Sequence, residues 1–202
     1  MTISLRAPAR VLAPALFTFF VAACGDGGGG SDAAALPDAP LPPPSCETYC
    51  TTLMANCTAD AAQYGSMAAC LGACAGLTLG AASDSDGNTV GCRTYHANSV
   101  PTAGVEHCDH AGPMGADECG SNCEGFCAIA VHTCTGANQV WATEAACMTD
   151  CAMMNDTVGY NATVQTGDSL ACRMYHLTVA SESMAMAATH CDHIGLTSPV
   201  CN

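Results

Sequence analysis

The chain has no lysine. Its only cationic side chains are four arginines, and two of these, Arg6 and Arg10, lie within the first ten residues, whereas all 18 acidic residues follow Cys24. Beyond Cys24, Arg93 and Arg173 alone face those carboxylates. A surface this acidic repels phosphate backbones and anionic headgroups, which argues against nucleic acid as a partner and against direct adsorption to a lipid surface. Aromatics are scarce too: after Cys24 there are Phe126, Trp141 and five tyrosines. A core made mainly of Ala, Leu, Val and Met buries little area per residue, and domains of about 75 residues are already marginal on area grounds. Also missing are the C-x2-C knuckles of a zinc-cysteine site, a CxxCH haem attachment, a phosphate loop and a serine-nucleophile motif. No enzyme is expected, and the first expectation is no cofactor.

Cysteine is what the chain has in excess, 17 residues in 202. With Cys24 set apart, two sets of eight remain: Cys46, Cys50, Cys57, Cys70, Cys74, Cys92, Cys108 and Cys119, then Cys123, Cys127, Cys134, Cys147, Cys151, Cys172, Cys191 and Cys201. The intervening gaps are 3, 6, 12, 3, 17, 15, 10 in the first set and 3, 6, 12, 3, 20, 18, 9 in the second. Four consecutive gaps agree, so a module has been duplicated, with repeat 1 at 46–119 and repeat 2 at 120–202. Even parity within each set points to disulfides formed in an oxidising compartment, each typically worth about 2–4 kcal/mol.

The start of the chain is an address. Arg6 and Arg10 precede the apolar run Val11–Ala22, too short to span a bilayer, so residues 1–23 are expected to be a signal peptide. Val21-Ala22-Ala23-Cys24 resembles a bacterial lipobox, which implies lipidation of Cys24. Residues 24–45 follow as a tether, glycine-rich and then proline-rich, with no apolar periodicity. Asp26 is not directly after Cys24, where the enterobacterial inner-membrane retention signal places its aspartate, so the expected location is the outer membrane or cell surface.

Within each module, Cys46, Cys50 and Cys57 fall on one helical face, as do Cys70 and Cys74. Helices are predicted over 46–58 and 66–76, and over 123–135 and 143–154. A third helix begins after Gly87-Asn88-Thr89 and Gly167-Asp168-Ser169, with Asn88 and Asp168 at or next to the N-cap. Asp84-Ser85-Asp86-Gly87-Asn88 has the look of a calcium loop, but its counterpart Val164–Asp168 lacks the leading carboxylates, which favours capping. The fold expected is all-α, small and disulfide-rich: two tandem copies of a three-helix module led by a Cx3C…Cx3C helical hairpin. That hairpin resembles the α-hairpinins, and the resemblance implies the pairs Cys46–Cys74, Cys50–Cys70, Cys123–Cys151 and Cys127–Cys147. The other cysteines allow three pairings per copy; Cys57–Cys92 with Cys108–Cys119, and Cys134–Cys172 with Cys191–Cys201, are the expectation.

Polar residues are repeated as well. Cys92-Arg93-Thr94-Tyr95-His96 matches Cys172-Arg173-Met174-Tyr175-His176, and His107-Cys108-Asp109-His110 matches His190-Cys191-Asp192-His193. Arg93 and Arg173 suit either an internal ion pair, with Asp109 and Asp192 as natural partners, or direct contact with a ligand. Tyr95 and Tyr175, the other candidate binding residues, are expected to pack in the thin core with the hydroxyl at a wet edge. His96, His107 and His110, and equally His176, His190 and His193, suit either hydrogen bonding of an irregular segment or a zinc or copper site, with Asp109 as a further ligand in the first copy. The six methionines of repeat 2, three of them Met153, Met174 and Met184, are read as packing.

The Cys24 lipobox, the Gly/Pro tether and the CRxYH and HCDH pairs together resemble the duplicated, cysteine-rich lipoproteins of myxobacterial type. That resemblance implies an envelope context and brings no activity with it. The function expected is a non-enzymatic binding or structural module at the cell surface or in the periplasm, attached to the membrane through its lipid alone and meeting an envelope or extracellular protein. The alternative is a metal-binding envelope protein with one histidine cluster per repeat, holding zinc or copper.

Overall fold

The structure, a computed structural model, describes residues 41–202. The expected signal peptide, Cys24 and most of the 24–45 tether lie outside these residues. The described chain is all-helical: α1 (Cys46–Asn56), α2 (Met67–Cys74), α3 (Val90–Ala103) and α4 (His107–Ala111) in the first repeat, then α5 (Asn122–Thr133), α6 (Glu144–Cys151), α7 (Leu170–Ala180) and α8 (Met184–His190) in the second. Its only strand-like pairing is one isolated bridge between Thr78 and Thr89. No helix among the described residues is long and apolar enough to cross a membrane. Each module holds four helices where the sequence predicts three, because the HCDH segment itself coils into α4 in repeat 1 and into the end of α8 plus the 3-10 turn Cys191–His193 in repeat 2.

Side-chain caps set the helix starts. Ser45, Ser66, Thr89, Thr143, Ser169 and Ser183 each accept a hydrogen bond from the backbone N–H three residues on, and Ser121 with Glu124 closes a capping box. Each such cap is worth about 1 kcal/mol. Thr89 and Ser169 are the N-caps, so Asn88 and Asp168 stand next to them. Asp84 works in the same turn: its Oδ2 accepts from Ala81 N and Thr89 Oγ1, both at 2.9 Å, which is a turn-closing role.

The eight disulfides among the described residues follow one wiring in both copies. The hairpin pairs implied by the α-hairpinin resemblance are present: Cys46–Cys74, Cys50–Cys70, Cys123–Cys151 and Cys127–Cys147. The other expected pairs are corrected. Cys57 bonds Cys108, not Cys92, and Cys92 bonds Cys119; likewise Cys134 bonds Cys191, not Cys172, and Cys172 bonds Cys201. The reason lies in how α1 meets α3. Pro101 has no N–H to offer the carbonyl of Ala97, and Asn56 Nδ2 takes that carbonyl at 2.9 Å. The end of α1 thus sits level with Ala97, five residues past Cys92 and about 7.5 Å along the helix axis, beyond the reach of a disulfide from Cys57. Apart from Cys46 and Cys123, every one of the sixteen paired cysteines is buried.

The two hairpins share an aromatic pair at matched positions. Tyr49 and Tyr64 meet edge to face at 6.4 Å in the first, and Phe126 and Trp141 at 5.8 Å in the second. Burial pushes the Tyr49 hydroxyl up to about 12, so it stays a neutral donor to the Ala111 carbonyl at 2.7 Å. Of the methionines, Met174 is fully buried, whereas Met153 and Met184 are exposed, so packing accounts for only part of that set.

The repeats join through α2. A Cβ on Gly72 would run into the carbonyl oxygen of Ser181, and one on Gly76 would press on Ile129 and His132. Tyr160 Oη donates to the Gln63 carbonyl at 2.9 Å, Ala162 N to the Ala62 carbonyl at 2.7 Å, and Ser66 Oγ to Glu182 at 2.6 Å. At the position matching Gly72, repeat 2 carries Thr149, so the close approach belongs to α2 alone.

Candidate metal centre

Helix α3 presents His96 from its second turn, buried, while α4 presents His107 and His110 one turn apart. The wiring holds both carriers: Cys92–Cys119 fastens the start of α3, and Cys57–Cys108 fastens α4 between its two histidines. Repeat 2 does the same with Cys172–Cys201 and Cys134–Cys191 around His176, His190 and His193. In each repeat the three imidazoles bring one ring nitrogen apiece to within 4.8 Å of one another.

The close contacts among these rings run between Nδ1 atoms. His96 Nδ1 lies 2.8 Å from His107 Nδ1; His176 Nδ1 lies 2.9 Å from His190 Nδ1 and 3.2 Å from His193 Nδ1. Three donors about 2.0–2.1 Å from one tetrahedral ion stand about 3.3 Å apart, close to these separations. His110 Nδ1 is buried and has no hydrogen-bond partner; with the ring proton on Nε2 it is an orphaned lone pair that a metal ion would satisfy. The opposite nitrogens supply orientation: His96 Nε2 donates to the Ser85 carbonyl and His176 Nε2 to the Gln165 carbonyl, both at 3.2 Å. A ligating histidine commonly holds a backbone carbonyl in this way, leaving Nδ1 as the bare donor.

Burial lowers the pKa of His96, with the neighbouring imidazoles His110 and His107 adding to it against the Ser85 bond. Burial likewise lowers His176, to about 4, with His193 pressing the same way, and it lowers His190. The neutral imidazole, which is the metal-binding form, is therefore favoured at neutral pH. The paired sulfurs of Cys92–Cys119 and Cys172–Cys201 also lie within 4.8 Å of His96 and His176 ring nitrogens, and being bonded to each other they buttress the rings.

Other candidates fall elsewhere. Asp109 is not a ligand in the cluster: its carboxyl, raised by burial, accepts from Gln63 Nε2 at 3.3 Å. Nor do Asp109 and Asp192 pair with the arginines. Arg93 is fully buried and donates to the carbonyls of Gly112, Pro113 and Thr89, at 3.0, 3.3 and 3.3 Å. Arg173 donates to Gly195, Leu196 and Ser169 carbonyls and meets Asp168 at 3.0 Å. Each guanidinium thereby latches the segment after the histidine turn onto its helix and offers no face to a ligand. Tyr95 is exposed, contrary to the expected core packing, and its ring meets His96 edge-on at 5.1 Å; Tyr175 is half-buried and stands 5.2 Å from His176. The Ser85 and Gln165 carbonyls escaped sequence reasoning. Their one signal is that each stands 11 residues before its histidine.

Residues 44–122 match the model of the BfoA family C-terminal domain. The match reaches two to three residues beyond the first cysteine set, Cys46 to Cys119, at either end and covers less than half of the chain, so it is a likeness of repeat 1. It includes His96, His107 and His110. No curated protein and no solved structure matches the chain.

Proposed function

We propose that this protein binds metal, with one ion in each repeat held by His96, His107 and His110 and by His176, His190 and His193. The observation that carries the reading is the convergence of three imidazole nitrogens in both copies, three Nδ1 atoms in repeat 2 and the His96–His107 Nδ1 pair with His110 in repeat 1, each trio built on one ring anchored to a backbone carbonyl. Hydrogen bonding alone accounts poorly for it, because one Nδ1 lone pair on His176 faces two other Nδ1 atoms and His110 Nδ1 has no partner. The donor set is purely imidazole, which suits zinc or copper. The sites are pre-organised by cross-links, so the protein acts as a binding module, with no catalytic role proposed.

The address we propose is the bacterial envelope, in the manner of the lipoproteins the sequence resembles, with Cys24 as the lipid-bearing residue and a membrane contact made by that lipid only. The even count of cysteines after Cys24 and the eight disulfides support an oxidising compartment. Elemental analysis of the oxidised full chain after equilibration with zinc or copper and extensive dialysis tests the function. Two equivalents are expected, one for His96→Ala, and none when His176→Ala is added, with helicity unchanged. Retention of no metal by fully oxidised protein would remove this reading.

A further inference from the structure

Resting on that reading, the surroundings of each trio point to what else an ion there would hold. Among the described residues, the potential ligand atoms gathered around His96 are the other two imidazoles and the sulfurs of Cys92 and Cys119, and those sulfurs are bonded to each other. The same is true of His176, with Cys172 and Cys201. No carboxylate joins either cluster: Asp109 is turned to Gln63, and Asp192 is exposed and outside the group. The trios are also lopsided. His96 and His176 are buried against α3 and α7, whereas His107, His110, His190 and His193 are half-buried, so the side of each trio away from the long helix borders water.

Zinc(II) and its cobalt(II) substitute take a fourth ligand when three protein donors are present. Three neutral imidazoles leave the full double charge of such an ion uncompensated, and in a partly desolvated site an anionic donor gains Coulomb attraction that a neutral donor does not. We infer that each ion keeps one coordination position for an external donor, and that the donor class it selects is a small anion. Water fills the position by default and gives way to the anion.

Cobalt(II) chloride and sodium azide are the probes, used on the oxidised full chain. The expected result is retention of two cobalt equivalents, visible bands of four-coordinate strength, and a saturable shift of those bands with azide in both repeats. Retained cobalt whose bands ignore azide overturns the inference while the metal reading stands. So does a response to azide that appears only in Asp109→Asn with Asp192→Asn, because an aspartate would then be closing the site. Failure to retain cobalt, zinc or copper removes both readings together.

Discussion

The Nε2–H of His96 is held by the carbonyl oxygen of Ser85 at 3.2 Å, and His176 stands in the same relation to Gln165. A carbonyl can only accept, so each ring must carry its proton on Nε2 and present a bare Nδ1 to its two companions. Both long loops that lead into α3 and α7 therefore act as tautomer selectors. This places the acceptor of the trio at the buried ring in each copy.

Cross-linking should decide whether repeat 1 holds its ion. Replacing Cys57 and Cys108 together by serine frees α4 from α1 and with it His107 and His110. The metal content of the double variant is expected to fall from two equivalents to one in a titration that resolves a loss of affinity of about 10–100-fold, the scale seen when ligand-orienting contacts are removed. Unchanged stoichiometry and affinity would show that the disulfide does not position the turn.

Acid should weaken the metal-free fold through its histidines. Burial holds His176 at about 4 when folded, against 6.5 for the ordinary group, so as pH falls the unfolded chain takes up the proton first. The stability contributed by the neutral ring is present above about pH 6.5, is lost on descending to about 4, and changes little below that. His96 and His190, shifted the same way, add to the slope. Denaturant midpoints measured with chelator across this window should show the decline, and His176→Gln should flatten it.

The matched positions Ala59 and Gly136 offer a test of backbone strain. Both are left-handed, at φ 54° and 61°, and a side chain at Gly136 would meet nothing within 4 Å. Left-handed geometry costs an L-residue about 1–2 kcal/mol. Gly136→Ala is therefore expected to lower unfolding free energy by about 1 kcal/mol, and Ala59→Gly to leave it unchanged or raise it by up to about 1 kcal/mol. A loss on Ala59→Gly, the usual cost of added glycine, would contradict the strain.

Gly72 should be the sensitive point of the junction between repeats. Gly72→Ala forces its methyl against the Ser181 carbonyl, backbone that cannot rotate away, and overpacking of this kind costs about 1–3 kcal/mol. Thr149→Ala, at the matched exposed position, is expected to change stability by less than about 0.5 kcal/mol. Equal effects at the two sites, measured by chemical denaturation with disulfides intact, would refute the close junction.

Much of this was legible in the primary structure because cysteine spacing and duplication are one-dimensional signals. The hairpin pairs could be named because the Cx3C…Cx3C spacing resembles the α-hairpinins, and that resemblance implies Cys46–Cys74 and Cys50–Cys70 with their counterparts in repeat 2. The start of the third helix was marked by Asn88 and Asp168, which stand next to the caps Thr89 and Ser169, and six of seven histidines fell at matched places. Other features had no local trace. Charge makes Asp109 a natural partner for Arg93 in the sequence, yet its donors find the Thr89 carbonyl one turn back and the Gly112 and Pro113 carbonyls that only the returning segment brings near.

By itself the sequence determined the helical class, the twofold repeat, the sixteen paired sulfurs and the identity of the six imidazoles, since each follows from spacing along the chain. Which half-cystines meet beyond the hairpin was decided by the tertiary structure, through the level at which Asn56 of α1 grips Ala97 of α3. The same packing turned Nδ1 of His96 and of His176 toward the other imidazoles and Nε2 toward a carbonyl. Such choices depend on distances between residues tens of positions apart, and no pattern of neighbours along a chain encodes them.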